Sequence, residues 1–339
     1  MIAPNKLAQI GRLIAANPSN VAARLAEAEG ITRQAASARL AALRKEGVIS
    51  VEGQGRGVKY ALLETVRDVR SYQIDGLSED RVWREQCAPH VKDLPDNVRG
   101  IWHHGITEMV NNAIDHSGSV AVQVGITRDA LMTRAWVADQ GEGIFLKIQR
   151  ALDLYDARES ILELAKGKFT TDPVNHSGED IFFSSKMFDR FTIRSGALLF
   201  AHDSEQPDVL FEEKDSEQGT IVTMELANDS EHTTKEIFDQ FALPEEYSFA
   251  KTIVPVRLAQ YEGEKLVSRS QAKRLTRRFE RFQTVILDFS GVEEIGQAFA
   301  DEVFRVFQNA NPAITMTPIK ATDAVLSMIG RARSGLERR

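Results

Sequence analysis

The chain has little cysteine, no long apolar run and no segment resembling a signal peptide. Its 339 residues include one cysteine, Cys87, which cannot form an internal disulfide and has no partner at zinc-ligand spacing. No apolar stretch approaches the roughly 20 residues that a helix needs to cross a bilayer. Residues 1–20 lack a small-residue cleavage site, and the GxxxxGK[ST] pattern of a P-loop does not occur. We therefore expect a cytoplasmic protein that has no membrane association and no P-loop.

Charge is distributed unevenly along the chain. Residues 1–60 hold nine Lys and Arg against four Asp and Glu, although the whole chain has a net charge of −7. The chain after residue 60 is therefore acidic, with a net charge of −12. Because an acidic protein repels nucleic acid on average, any DNA contact should be confined to the amino-terminal end.

Residues 6–62 follow the order helix, helix, helix, hairpin. Apolar residues recur at helical spacing in the first helix, which ends before Pro18. Gly30 ends the second helix, and Thr32 can cap the third. Two short strands around a glycine-rich turn follow. This order resembles a winged helix-turn-helix domain, over residues 1–65.

The winged-helix resemblance implies that the third helix enters the DNA major groove and that the hairpin contacts the backbone or the minor groove. Arg and Gln can read base edges through paired hydrogen bonds, and Lys or Arg at a hairpin tip can neutralise phosphate. We predict DNA binding through residues 1–65, with a winged helix used for protein contact as the alternative. The expected contact residues are Arg33, Gln34, Ser37 and Arg44 on the third helix, and Arg56 and Lys59 in the hairpin.

Residues 66–100 are polar and weakly patterned, so they are predicted to form a linker and a lead-in helix. The next segment contains ITEMVNNAIDHSGS, whose apolar residues recur at helical spacing. Glu108 and Asn112 are four residues apart and therefore share one face of that helix. A carboxylate there can hold a water or hydroxyl for attack on a phosphate, and an amide oxygen suits magnesium. Any amphipathic helix can offer this pair, so the pair alone does not define a site.

Glycines follow the predicted helix at three further points. A predicted strand over 131–138 runs into DQGEG, where Asp139 can accept a hydrogen bond from an exocyclic amine such as that of adenine. The two glycines of this motif let the backbone approach a flat ring. Gly178 precedes an apolar helix whose amino terminus offers a phosphate site. Gly219 and Thr220 then open the last strand of the segment.

These motifs, in this order, resemble the N box, the two glycine boxes and the final Gly-Thr motif of the GHKL (Bergerat-fold) ATPases and kinases, over residues 101–226. The resemblance implies a domain that binds ATP and Mg²⁺, with Asn112 as the metal ligand and Asp139 on the adenine amine. It makes Glu108 the general base, and EMVNNAIDHSG is most similar to the anti-sigma-factor kinases. The implied nucleotide-binding residues are Asn112, Asp115, Asp139, Gly141, Gly143, Lys168, Gly178 and Thr220.

One departure from the GHKL pattern lies in the second glycine box. The sequence there reads Gly178-Glu179-Asp180, whereas the family generally has glycine at the third place. A carboxylate near phosphates repels them unless magnesium or a lysine offsets its charge. Lys166 and Lys168 could offset it, although solvated lysines are the alternative. The departure bears on ATP turnover more than on ATP binding.

Residues 249–334 alternate between strand and helix, which predicts an α/β domain with mostly parallel strands. The run VILDFSGVEEIGQAFADEVFRVF resembles the STAS domains of anti-sigma-factor antagonists. That family has a phosphorylatable serine at a helix start, but residues 296–299 here read Gly-Gln-Ala-Phe. We therefore expect a STAS-like domain without phosphorylation at that place. The predicted helix over 270–282 carries five Lys and Arg residues, interpreted as a solvated basic face or a contact for an acidic partner or nucleic acid.

The predicted fold is multidomain α+β and α/β, with an amino-terminal winged helix, a central Bergerat-type α/β sandwich and a carboxyl-terminal STAS-like α/β domain. A length of 339 residues suits two or three such domains. The predicted segments are the winged helix over 1–65, the linker and lead-in helix over 66–100, the ATP-binding domain over 101–230 and the STAS-like domain over 249–334.

The predicted function is that of an ATP-responsive DNA-binding regulator. ATP with Mg²⁺ alters DNA affinity by binding two conformations unequally, and the STAS-like domain relays this state or receives a protein partner. One alternative is an anti-sigma-type serine/threonine protein kinase acting on a separate protein, which Glu108 favours. Another is a nucleotide-binding scaffold without turnover, which Asp180 favours. A homodimer is compatible with a winged-helix regulator.

Overall fold

The computed structural model describes residues 4–53, 57–168, 179–242, 249–261 and 264–334. The chain divides into two compact units, Met1–Asp139 with Val222–Thr233 and Gln140–Ile221 with Thr234–Arg339. Both units contain helices and strands, so the fold is mixed α/β. None of the helices in the described ranges is long and apolar enough to span a membrane.

The first unit begins with three helices and an antiparallel hairpin, in the order that the sequence predicts. These elements are α1 Pro4–Ala16, α2 Val21–Glu29, α3 Arg33–Lys45, β1 Ile49–Glu52 and β2 Lys59–Leu62. Gly30 ends α2 with a φ of 65°, a left-handed conformation that glycine adopts without a Cβ clash. The Thr32 hydroxyl caps α3 by accepting a hydrogen bond from the Ala35 N–H. The three helices and β1 share one core, formed by Ile10, Ile14, Val21, Leu25, Ala36, Leu40, Leu43 and Ile49.

The rest of the first unit combines a sheet with a long helix. Its elements are β3 Val66–Gln73, α4 Glu79–Val82, a π-helical turn Trp83–Cys87, α5 Ala88–Val91, α6 Asp96–His116, β4 Ala121–Arg128, β5 Met132–Asp139 and the last residues, 222–227, of β7. The strand order is β3-β4-β5-β7, and β4 pairs antiparallel with both β3 and β5. Gly125 lies opposite Trp136, where a Cβ would come within 2.1 Å of the indole ring. Glycine therefore lets the indole pack across the strand.

Strand β3 corrects the first part of the linker predicted within residues 66–100, whereas α4, α5 and the start of α6 occupy the part where a lead-in helix was predicted. Residues 66–73 pair with β4 along their whole length. They look polar in the sequence because β3 is the edge strand of the sheet, and five of its eight residues are exposed. Cys87, in contrast, is fully buried. Burial raises the pKa of its thiol to about 12, which agrees with an inert cysteine.

In chain order, the second unit begins with three helices, continues with two long strands and then has one more helix. Its elements here are α7 Ile144–Leu152, α8 Glu159–Lys166, α9 Asp180–Met187, β6 Arg190–Asp203, β7 Gln206–Ala227 up to residue 221, and α10 Thr234–Phe241. Strand β6 pairs with β7. An aromatic cluster, with ring centroids of neighbouring rings 4.3 to 6.2 Å apart, joins α9 to α10 and to the chain that follows. Its members are Phe182, Phe183, Phe238, Phe241 and Phe249.

The carboxyl-terminal part of the second unit is a parallel sheet with helices. The elements are β8 Lys251–Pro255, α11 Arg269–Thr276, β9 Thr284–Asp288, α12 Gln297–Asp301, α13 Gln308–Ala310, β10 Thr315–Ile319 and α14 Asp323–Ser334. The strand order is β10-β9-β8, and β9 pairs parallel with both neighbours, which confirms the predicted parallel pairing. The helix predicted over 270–282 ends earlier, at Thr276, because Arg278 adopts a left-handed φ of 63°.

Candidate functional site

Helix α6 carries three of the predicted nucleotide-binding residues. Its buried apolar side chains fix the inner face, so that Glu108 and Asn112 are half-buried and Asp115 is exposed. His104 lies one turn before Glu108, with 3.9 Å between His104 Nδ1 and Glu108 Oε1. Asn112 Nδ2 is buried and has no hydrogen-bond acceptor among the described residues. An unpaired buried polar group costs about 1–3 kcal/mol, so Asn112 is a group whose hydrogen bonding a ligand could complete.

Asp139 is the last residue of β5. Its backbone lies in register with Val122 of β4, so the sheet fixes the position from which its half-buried side chain projects. The first unit therefore contains a carboxylate at a strand end together with the carboxylate and amide of α6. These are the types of group that can accept from an exocyclic amine and ligate a hard cation.

The glycine-rich loop after Asp139 belongs to the second unit, where several contacts fix its backbone. Gly143 has a φ of 91°, and a Cβ at this position would lie 2.5 Å from Ser195 Oγ and 3.3 Å from the Gly219 carbonyl oxygen. Ser195 is buried and donates a 2.8 Å hydrogen bond to that same carbonyl. The Ile144 N–H donates to Thr220 Oγ1 at 3.0 Å, so the Thr220 hydroxyl holds the start of α7. Position 143 thus requires glycine, because Ser195 and the Gly219 carbonyl pack directly against the loop backbone.

Gly143 and Thr220, two of the predicted nucleotide-binding residues, lie close together in the structure. Ser195, which was not predicted, contacts the same loop. No motif in the sequence marks Ser195, because it lies in the middle of β6 and its contact depends on how β6 pairs with β7. Gly141 is buried in the same loop. Gly178 lies outside the described residues.

Lys168, predicted to offset charge near phosphates, has its ammonium group near the carboxyl-terminal part of the same unit. Its Nζ donates to the Arg281 carbonyl at 3.2 Å and lies over the rings of Phe249 and Phe282. Burial lowers the pKa of Lys168 and raises the pKa of the Glu179 carboxyl. Asp180, the departure from the glycine pattern, is the first residue of α9.

The predicted DNA-contact residues lie on an exposed surface of the first unit. The inner face of α3 is formed by Ala36, Leu40 and Leu43, which are buried. The outward residues of α3 and the hairpin lysine are exposed, namely Arg33, Gln34, Ser37, Arg44 and Lys59. Arg56 lies outside the described residues. An exposed set of Arg, Gln, Ser and Lys side chains can reach base edges and phosphates.

The interpretation of residues 270–282 as a solvated basic face is wrong for two of its five cations. Arg278 is 7% exposed, and its Nη1 donates to Glu163 Oε2 at 3.0 Å. Arg274 is also largely buried and lies over the ring of Tyr261. Local sequence could not predict this arrangement, because the acidic partners lie on α8, more than a hundred residues earlier in the chain.

A second cluster of titratable groups joins α9 to the β6–β7 hairpin. Lys186 lies 3.4 Å from the Asp208 carboxylate, and His202 Nδ1 contacts the other carboxylate oxygen. Desolvation opposes the charge of Asp208, but Lys186 and His202 together lower the pKa of Asp208 to about 2. Desolvation, aided by the Lys186 charge, lowers the pKa of His202. The cluster therefore holds an ionised carboxylate against a neutral imidazole near neutral pH.

We expect the Asp208 cluster to make stability fall at acid pH. The folded pKa of about 2 lies below the ordinary 3.8, so the stabilisation is present above the ordinary value and lost as pH falls towards the folded one. At about 1.4 kcal/mol per pKa unit, it amounts to roughly 2–3 kcal/mol. Asp208→Asn should lower the urea-unfolding free energy at neutral pH and flatten its decline below about pH 4. The exposed Asp239→Asn should keep the wild-type decline, and an equally steep decline in Asp208→Asn would contradict this account.

A comparison with protein families finds one match. The family described as "STAS-like domain of unknown function (DUF4325)" matches residues 271–326, which cover most of α11, all of β9, α12, α13 and β10, and the first residues of α14. The match supports the predicted STAS-like domain. Helix α12 begins at Gln297 after Gly296. The start of this helix, where STAS domains have a phosphorylatable serine, therefore carries no hydroxyl side chain. A comparison with curated proteins finds no significant relative.

Proposed function

We propose that residues 101–230 bind ATP and that the chain is an ATP-responsive DNA-binding regulator, with a winged helix, a Bergerat-type sandwich and a STAS-like domain. The observation that carries the proposal is the loop that follows Asp139. Gly143 holds a φ of 91° at a point where Ser195 leaves no room for a side chain. A carboxylate at a strand end can accept a hydrogen bond from the adenine amine, and the glycine-rich turn that follows it keeps the backbone free of bulky side chains.

Asn112 and Glu108 supply the remaining chemistry of this proposal. The amide oxygen of Asn112 is a suitable Mg²⁺ ligand, and its unpaired buried nitrogen could donate to an acceptor atom of a bound nucleotide. No cluster of three or more metal-ligating His, Cys, Asp or Glu side chains occurs among the described residues. This donor set fits Mg²⁺, which is commonly held by one or two protein oxygens together with nucleotide phosphates. When bound, Mg²⁺ would neutralise phosphate charge, and Glu108 would orient or deprotonate the attacking group.

Contacts inside the first unit support a link between the DNA-binding helices and the sheet that ends in Asp139. The Arg12 guanidinium donates two hydrogen bonds to the Asp229 carboxylate, at 2.9 and 2.6 Å. Gly11 packs so closely against Leu131, in the β4–β5 turn, that an added Cβ would lie 3.0 Å from the leucine Cβ. A change in the sheet therefore has a direct contact through which to bias α1.

Calorimetric titration of the full chain with Mg-ATP tests the nucleotide proposal. We expect binding in the wild type and a loss of about tenfold or more in Asp139→Asn, because the substitution removes the negative charge and replaces one acceptor oxygen with an NH₂ donor. Asp153→Asn is the matched control, since Asp153 is exposed at the end of α7 with a left-handed φ of 50° that asparagine also adopts. Absence of binding in the wild type would sink the proposal.

The proposed DNA binding and the alternative kinase activity can both be tested with the full chain. Operator affinity measured with and without Mg-ATP should differ, and an unchanged affinity would remove the regulatory part of the proposal. Labelled ATP incubated with candidate partner proteins should transfer phosphate if the chain is a serine/threonine kinase. In that case Glu108→Ala abolishes transfer and leaves nucleotide binding intact.

A further inference from the structure

A buried ion cluster joins α8 to the end of α11 within the second unit. Lys166 is fully buried, and its Nζ lies 2.7 Å from Glu163 Oε1. The same Nζ donates to the carbonyl oxygens of Arg274 and Arg277 at 3.1 and 2.9 Å. Arg278 donates to the other oxygen of Glu163 at 3.0 Å. The buried ion cluster is defined by Glu163, Lys166 and Arg278.

Further contacts surround the buried ion cluster on both sides. Glu159, one turn before Glu163, accepts from Arg277 at 3.1 Å. The Thr252 hydroxyl, fully buried on β8, donates to the Lys166 carbonyl at 2.8 Å. Arg278 and Arg281 both donate to the Lys168 carbonyl. Helix α8 and the two residues after it are therefore hydrogen-bonded to β8 and to residues 274–281.

The backbone at this contact is held in conformations that ordinary residues rarely adopt. Lys168 has a φ of 53° and Arg278 a φ of 63°, and their contact joins two left-handed non-glycine residues. Such conformations are unfavourable for residues with a Cβ and persist where surrounding contacts determine them. Desolvation lowers the pKa of Lys166 to about 8 and also lowers that of Arg278, although Glu163 acts in the opposite direction on both. The arrangement thus combines backbone strain with incompletely compensated charge.

A continuous set of contacts connects the buried ion cluster to the proposed nucleotide loop. On α8, the Ser160 hydroxyl is buried and donates to the Phe145 carbonyl at 2.8 Å. Phe145 is the second residue of α7, and the first, Ile144, is held by Thr220. These hydrogen bonds form a continuous path from the Gly143 loop through α7 and α8 to α11.

We propose that the STAS-like domain regulates nucleotide binding by the same chain through this contact, with α8 moving as the element that links the Gly143 loop to the buried ion cluster. The inference rests on the proposed ATP site and adds what controls it. A buried charged contact favours discrete arrangements, because removing one partner leaves a charge unpaired. Coupling of this kind is reciprocal, so nucleotide must alter α11 to the same extent as α11 alters nucleotide affinity.

Hydrogen exchange of the full wild-type chain, with and without saturating Mg-ATP, gives the first test. Calorimetry on the same sample establishes that nucleotide binds. We expect Mg-ATP to change exchange in residues 269–281 as well as around Gly143. Binding without any change in 269–281 would overturn the regulatory inference and leave the nucleotide proposal standing. Absence of binding would reject both.

Ser160→Ala gives the second test, because it breaks the connection between α7 and α8 without touching a charge. We expect its Kd for Mg-ATP to change by about fivefold or more, with loss of the exchange change in 269–281. Ser185→Ala is the matched control, since Ser185 also donates to a phenylalanine carbonyl, at 2.7 Å, but within one helix. The control should bind as wild type does. A Ser160→Ala protein that folds, binds with wild-type Kd and keeps the exchange change would contradict the inference.

Discussion

Glu163→Gln is expected to lower the free energy of unfolding by about 3–5 kcal/mol, because it removes the buried negative charge that Lys166 and Arg278 share. Glu163 is 1% exposed, and it is the carboxylate shared by Lys166 and Arg278. Glutamine has almost the same shape, so the loss reports charge rather than volume. Urea unfolding followed by circular dichroism measures it, with attention to whether one or two transitions occur.

Glu294→Gln provides the matched comparison on the surface. Glu294 also pairs with a lysine, Lys265, at 2.6 Å, but the two side chains are 59% and 70% exposed. Water screens such a pair, so the expected change is much smaller than that of Glu163→Gln. Equal losses in Glu163→Gln and Glu294→Gln would show that the buried ion cluster does not hold α8 to α11.

Gly143→Ala is expected to weaken nucleotide binding by about tenfold or more, because backbone strain of about 1–3 kcal/mol acts at the loop that must accept the ligand. A methyl group at position 143 would lie 2.5 Å from Ser195 Oγ, a distance that Cβ atoms do not show. The loop must then shift, or Ser195 must give up its hydrogen bond to the Gly219 carbonyl. Titration with Mg-ATP, alongside a thermal melt, separates lost affinity from lost folding.

Two further variants test whether the loss of affinity is specific to position 143. Gly118→Ala introduces alanine at a similar φ of 69° but into open space, so it should cost stability and leave nucleotide affinity unchanged. Gly143→Ala combined with Ser195→Ala removes the closest clash and should recover part of the affinity. If Gly118→Ala and Gly143→Ala weakened binding equally, the loop at Gly143 would have no special role.

Local features predicted a large part of the elements. Gly30 and Thr32 mark the helix boundaries through backbone conformation and capping, which depend on a few neighbouring residues. The parallel strands of the STAS-like domain follow from the alternation of apolar runs with helices. Strand β3 was missed because an edge strand needs few apolar side chains, and its pairing with β4 is a long-range contact.

Only those residues of the candidate site that lie within a local sequence motif could be predicted. Asp139 and Gly143 stand in a recognisable local pattern, and the structure places them at a strand end and in a left-handed loop. Ser195 has no such pattern, since its contact with Gly219 depends on the pairing of two strands. Their assignment to nucleotide binding stays a prediction until binding is measured.

The sequence by itself determined the helices and strands whose signals lie within one or two turns, and the order of the motifs. Only the tertiary structure decided which charges are paired. The five cations of residues 270–282 look alike in the sequence, yet Arg278 is buried against Glu163 whereas Lys273 is exposed. The physical reason is that the energy of a charge depends on its solvent exposure and its nearest partners, and those are set by chain segments more than a hundred residues apart.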